Sequence, residues 1–137
     1  MVKRKWIKEL VGKNRPAVIG IQETKTKTWN KAQVIGLWGG DEVDFVHSEA
    51  RGNLGGLITM WDKRIFNCTS KYVDPSLVVT IGTWEREEGL IGLINVYGPN
   101  SLKERLEIWS KIEEILEIDG VSWCMFGDFN EVRSERE

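Results

Sequence analysis

The chain alternates between short apolar runs and amphipathic stretches, and the spacing predicts strands interleaved with helices. Over residues 2–13, Trp6, Ile7, Leu10 and Val11 share one helical stripe, and Asn14-Arg15-Pro16 ends it. Residues 17–21 are short and nearly all apolar, as a buried strand is. Residues 24–38 are polar, with a short helix expected over 29–37. A weak strand is predicted over 43–48 and a stronger one over 57–61. Residues 65–73 and 77–85 alternate or are β-branched, and Asp74-Pro75 makes the turn between them. A strand over 90–97 follows the Glu87-Glu88-Gly89 turn. Leu102, Leu106, Trp109, Ile112, Ile115 and Leu116 recur at helical spacing, Asp119-Gly120 stops that helix, and residues 121–126 form the last strand. The middle reads as a β meander and the two ends as strand–helix–strand crossovers. That order suggests stacked sheets with helices outside, an α/β arrangement.

Length and composition narrow the class. The 137 residues suffice for one domain with a core. No apolar run approaches the roughly 18 residues that cross a membrane, and the basic start leads into an amphipathic stretch rather than a signal peptide. The expectation is therefore an intracellular protein, in nucleus or cytoplasm. Cys68 and Cys124 fall in predicted strands without metal-ligand spacing and read as small buried residues. Trp6, Trp61, Trp84, Trp109 and Trp123 take stripe or strand positions and read as core; Trp29 and Trp38 are less clear. Net charge is −2, from 19 basic and 21 acidic residues, which does not mark a nucleic-acid binder by itself. The basic residues crowd into positions 1–31, where they could face phosphates or simply form a solvated helix face.

The candidate chemistry lies just past strands. Glu23, in Ile21-Gln22-Glu23-Thr24-Lys25, is placed at the carboxyl end of one, where a single carboxylate can ligate a hard cation; Lys25 could pair with phosphate or with Glu23. Gly127-Asp128-Phe129-Asn130 follows the last strand. Asp128 could orient a water and take its proton, and the Asn130 amide could donate to a phosphoryl oxygen, although the tetrapeptide also suits an Asx turn. In Asn95-Val96-Tyr97-Gly98-Pro99-Asn100, Asn95 and Tyr97 share one strand face and could donate to phosphate, while Asn100 or Ser101 could cap a helix. The stretch from Arg51 through Asn53 to Gly55-Gly56 could cradle a phosphate or open a hairpin. His47, the only histidine, lies in the weak predicted strand and reads as surface or structural.

Taken together, Ile-Gln-Glu-Thr-Lys, Gly-Gly-Leu, Asn-Val-Tyr-Gly-Pro-Asn and Gly-Asp-Phe-Asn resemble the endonuclease/exonuclease/phosphatase superfamily. They are most similar to the apurinic-endonuclease-like domain of plant LINE-type (non-LTR) retrotransposons. The resemblance covers nearly the whole chain. It implies a DNase I-like four-layer α/β/β/α sandwich and Mg²⁺-dependent cleavage of DNA, with Mn²⁺ as a substitute. It implies Glu23 as metal ligand; Asp128, Asn130 and Tyr97 as catalytic; and Asn100, Lys25 and Asn53 at the phosphate. The family's first strand, its downstream aspartate and its Ser-Asp-His motif have no counterpart in the 137 residues. The expectation is one partial domain, weak or inactive alone, whose partners are DNA and the rest of a polyprotein with its reverse transcriptase. A non-catalytic remnant and a phosphoinositide or sphingolipid phosphoesterase are the alternatives.

Overall fold

The computed structural model describes residues 15–26, 28–50, 55–99 and 101–128, so the helix predicted over 2–13 lies outside the described residues. Seven strands and two helices run in the order β1 (Val18–Gln22), α1 (Lys31–Trp38), β2 (Val43–Ser48), β3 (Leu57–Asp62), β4 (Phe66–Asp74), β5 (Leu77–Trp84), β6 (Leu90–Tyr97), α2 (Leu102–Leu116) and β7 (Val121–Asp128).

They form two sheets. The first is antiparallel in the order β1-β3-β2, and the second has the order β4-β5-β6-β7. β6 and β7 are parallel, joined by α2 as crossover, as the terminal strand–helix–strand pattern anticipates. At the other end, β1 and β2 also run parallel, but β3 lies between them and pairs with both. The predicted meander is therefore broken. β2 and β3 form a hairpin, the chain changes sheets between Asp62 and Phe66, and only β4-β5-β6 continue as a meander. The Arg64 guanidinium fastens that change of sheet. Its Nη2 and Nε donate to the two Asp62 carboxylate oxygens at 2.7 and 3.0 Å, and this holds the Asp62 carboxyl below the usual carboxylate range.

Three apolar layers separate four structural layers. Val34, Leu37 and Trp38 of α1 bury against Val43, Ile58 and Met60 of the first sheet. Val46, Leu57 and Trp61 meet Phe66, Val78, Leu93 and Tyr97 between the sheets. Ile108 and Ile112 of α2 cover Leu77, Val79, Ile94 and Val96. This is the α/β/β/α sandwich. β3 is buried at all six positions because it is central and covered on both faces. Trp29 and Trp38, ambiguous in sequence, are core residues.

Local chemistry sets the helix ends. Asn30 and Gln33 form a reciprocal capping box, with bonds of 2.8 and 3.0 Å, so α1 starts after Trp29 rather than at it. Gly39, at φ +88°, closes α1 in the left-handed conformation. Ser101 is the N-cap of α2. The cysteines depart from expectation: Cys68 is half-buried and Cys124 exposed. Cys124 lies on β7, which has a neighbouring strand on one side only among the described residues. No helix among the described residues is long and apolar enough to cross a membrane.

Candidate active site

Side chains of β1 alternate between the two faces of the first sheet. Val18 faces the second sheet, Ile19 and Ile21 face α1, and Gln22 again reaches the second sheet. Strict alternation would turn Glu23 toward α1. It does not turn that way, because Glu23 adopts φ +54° and swings its carboxylate back to the Gln22 side. There Glu23 Oε1 accepts a hydrogen bond from Tyr97 Oη at 3.2 Å, across the gap between the sheets. A left-handed non-glycine residue costs about 1–2 kcal/mol and persists only where its surroundings hold it.

Those surroundings come from Gly55 and Gly56. A Cβ on Gly55 would stand 2.8 Å from Glu23 Cα, so glycine makes room for the turned backbone. Gly56 is itself at φ +86°, with Thr24 Oγ1 2.7 Å from where its Cβ would be. The Thr24 and Lys25 amides donate to the Gly56 and Gly55 carbonyls at 3.3 and 2.6 Å, and the buried Thr24 hydroxyl donates to Gly55 O at 3.3 Å. At this end of the glycine-rich stretch the carbonyls, not the N–H groups, face Thr24 and Lys25. Gly55 and Gly56 brace the Glu23 turn. Lys25 is also left-handed, at φ +58°, and its side chain is exposed.

One strand face of β6 carries both inter-sheet partners. Tyr97 takes Glu23, and Asn95, two residues earlier, takes Gln22: Gln22 Nε2 donates to Asn95 Oδ1 at 2.7 Å. Asn95 Nδ2 in turn donates to Ile58 O at 3.0 Å and lies 3.2 Å from Thr59 Oγ1. Asn95 is fully buried, so its expected role as a phosphate donor is corrected: its amide is committed to the protein interior.

Asp128 ends β7 directly beside Tyr97 in the parallel register. β1, β6 and β7 therefore bring Glu23, Tyr97 and the Asp128 position to one end of the sandwich. Two glycines permit this. A Cβ on Gly20 would stand 1.9 Å from Phe126 Cε2, so the Phe126 ring occupies the space a β1 side chain would fill. Gly127, at φ +137°, has Val96 O 2.0 Å from where its Cβ would be.

Asn53, Asn100 and Asn130 lie outside the described residues. His47 stands apart from this end. It stacks on Phe45 at 6.0 Å, on the face of β2 opposite to the one that reaches the second sheet, and burial lowers its pKa while Glu49 pulls the other way. The Gln22–Asn95 tie has no local sequence signature, since it joins residues on different sheets.

A carboxylate and a phenol oxygen are hard donors, suited to an oxygen-seeking cation that needs only one or two protein carboxylates. The softer donors, His47 and Cys68, sit elsewhere, and no group of three or more His, Cys, Asp or Glu occurs among the described residues. A carboxylate beside a phenol suits a hard cation such as Mg²⁺ or Mn²⁺ better than a soft one.

The profile of the Endonuclease/Exonuclease/phosphatase family matches residues 3–137, and the chain belongs to that family. Solved structures show the same DNase I-like fold. A humanized D. rerio TDP2 superposes with TM-score 0.71 at 15% identity, covering 95% of this chain and 55% of that one. D. rerio TDP2 complexed with single strand DNA product gives 0.68 at 14% identity, covering 96% and 54%. ANGEL2, a 2',3'-cyclic phosphatase in complex with adenosine-2',3'-vanadate, gives 0.68 at 15%, covering 95% and 43%. The chain thus spans about half the length of these structures. No curated protein matches it by sequence.

Proposed function

We propose that this chain carries the metal-binding part of a divalent-metal-dependent phosphodiesterase acting on DNA, of the LINE-type endonuclease kind. The observation that carries the reading is the Glu23 carboxylate turned into the inter-sheet cleft, 3.2 Å from Tyr97 Oη, at the strand end where β7 delivers Asp128. DNA is favoured by the likeness to TDP2, whose structure holds a single strand DNA product, and by the Ile-Gln-Glu-Thr-Lys and Asn-Val-Tyr-Gly-Pro-Asn forms.

In this reading Glu23 holds Mg²⁺, which supplies charge neutralisation at the phosphate and a more acidic water. Tyr97 orients the Glu23 carboxylate and presents its hydroxyl to the same space. Asp128 orients the attacking water and accepts its proton, and Asn130 donates to the phosphoryl oxygen that gains charge. Asn100, Lys25 and Asn53 hold the flanking phosphate. Acid–base assistance from a histidine, which the family resemblance adds to this set, would be worth about 10²–10⁴ in rate.

The test is nicking of supercoiled plasmid by the purified chain, with Mg²⁺ and with EDTA. Slow Mg²⁺-dependent nicking that disappears in both Glu23→Ala and Asp128→Ala is the expected result. Nicking that survives EDTA or either substitution would sink this assignment. No nicking by a folded chain would favour the non-catalytic alternative.

A further inference from the structure

The Glu23 conformation poses a problem that its own neighbours only partly solve. Gly55 and Gly56 make room for the left-handed turn and receive the Thr24 and Lys25 amides, but those contacts act after the turn. Before it, β1 must be stopped from sliding or rotating, or Glu23 would fall into ordinary alternation and point at α1. Gln22 is the residue at that position. Its side chain leaves the first sheet and is caught by Asn95 on the second, at 2.7 Å.

Asn95 can serve as a fixed post because its other end is already bound. Its Nδ2 donates to the Ile58 carbonyl at 3.0 Å and approaches Thr59 Oγ1 at 3.2 Å, both on β3, the strand that pairs with β1. The amide orientation is thereby determined: Nδ2 faces the carbonyl, so Oδ1 must face Gln22. The tie runs from β1 to β6 and back to β3, the neighbour of β1. It lies one residue before Glu23 on β1 and two before Tyr97 on β6.

We propose that Gln22 and Asn95 are a positioning pair: their inter-sheet hydrogen bond sets the phase of β1 so that Glu23 turns its carboxylate to Tyr97 instead of to α1. Neither residue need touch substrate or metal in this role, and Asn95 is fully buried. The role rests on the reading of Glu23 as metal ligand only for its consequence; the placement of the carboxylate is a property of the chain itself and can be read without metal.

The experiment uses the whole chain labelled with tyrosine ¹³Cζ. Two signals are expected, from Tyr72 and Tyr97, assigned with Tyr72→Phe. Glu23→Gln marks where the Tyr97 signal moves when its carboxylate partner is lost. Gln22→Met removes the donor but keeps length and leaves the Asn95 bonds to Ile58 and Thr59 in place, so it disturbs the fold least. It should move the Tyr97 signal toward the Glu23→Gln position and leave the other signal still. Asn95→Leu should do the same, and the double variant should add nothing further, because the two residues act through one bond.

A Tyr97 signal unmoved in Gln22→Met would overturn the proposal, as would additive shifts in the double variant. Mn²⁺ titration by electron paramagnetic resonance separates the two readings. With Glu23 as ligand, Gln22→Met should bind Mn²⁺ about tenfold more weakly, the low end for an outer partner. Should Glu23→Gln bind Mn²⁺ as the natural chain does, the metal reading fails while the Tyr97 signal still decides the positioning pair.

Discussion

Two tyrosine–carboxylate pairs of nearly equal length sit in this molecule, and they do different work. Tyr72 Oη approaches Asp74 Oδ2 at 3.1 Å, and Tyr97 Oη approaches Glu23 Oε1 at 3.2 Å. The Asp74 pair is local, two residues apart at the end of one hairpin. Asp74 Oδ1 accepts the Ser76 and Leu77 amides at 2.9 and 3.0 Å, and Oδ2 also accepts Lys111 Nζ at 3.0 Å. That carboxylate is surrounded by donors and closes a turn, as its place before Pro75 leads one to expect. The Glu23 pair joins strands of opposite sheets, and it exists because one residue breaks the alternation of its strand. Proximity to a phenol therefore says little about a carboxylate's role. What separates the two is whether the contact follows from the local backbone or is imposed across the fold.

The strongest way to break the comparison is to exchange each acid for its amide. Glu23→Gln should weaken Mn²⁺ binding by more than about 100-fold, beyond the loss expected for an outer partner, with the melting temperature nearly unmoved. Asp74→Asn should leave the Mn²⁺ titration where it was. Equal effects at the two sites would erase the distinction.

Gly55→Ala sharpens it from the backbone side. The new Cβ would fall 2.8 Å from Glu23 Cα, against main chain that cannot give way cheaply. Urea unfolding should show a loss of about 1–3 kcal/mol, the range for overpacking, and Mn²⁺ binding should weaken with it. A change in stability alone would show that the brace and the Glu23 turn are independent.

Asp62 supplies the smallest effect and a reference for a plain ion pair. Its hydrogen bonds from Arg64 depress its folded-state pKa, so the unfolded chain takes up the proton first as pH falls. The stabilisation is complete above the unfolded value, near 3.9, and is lost as pH drops through the lower folded value. Asp62→Asn should be slightly less stable at neutral pH, and the gap should close on acidification. Melting curves between about pH 7 and pH 2 measure it. A gap that widens toward acid would contradict the direction of the shift.

The elements of this fold were legible because their signals are local. Apolar period marks the strands, Asp74-Pro75 marks a hairpin, and Asp119-Gly120 marks a helix end. The position of Glu23 past a strand was legible for the same reason. Its direction was not, since strand period alone sends its side chain to the wrong face. Asn95 looked like a phosphate donor because it shares a strand face with Tyr97; its partners, Gln22 and Ile58, come from a sheet that sequence alone does not superpose. Gly55 and Gly56 were open to two readings, a phosphate cradle or a hairpin entry, because glycine signals freedom without saying what uses it; the brace on Glu23 was not among them. Cys124 looked buried because strand residues of its size usually are, whereas on β7 it is exposed.

The Phe126 ring seated in the space at Gly20 joins the first described strand to the last. Contacts between distant parts of a chain form slowly, because the intervening loop must close before they repay its entropy. The contact between Gly20 and the Phe126 ring therefore forms only after β7 has been made, although β1 can already pair with β3. Until then β7 has not seated Asp128 beside Tyr97. A half-made chain therefore carries Glu23 without the Asp128 position that lies beside Tyr97 in the finished sheet.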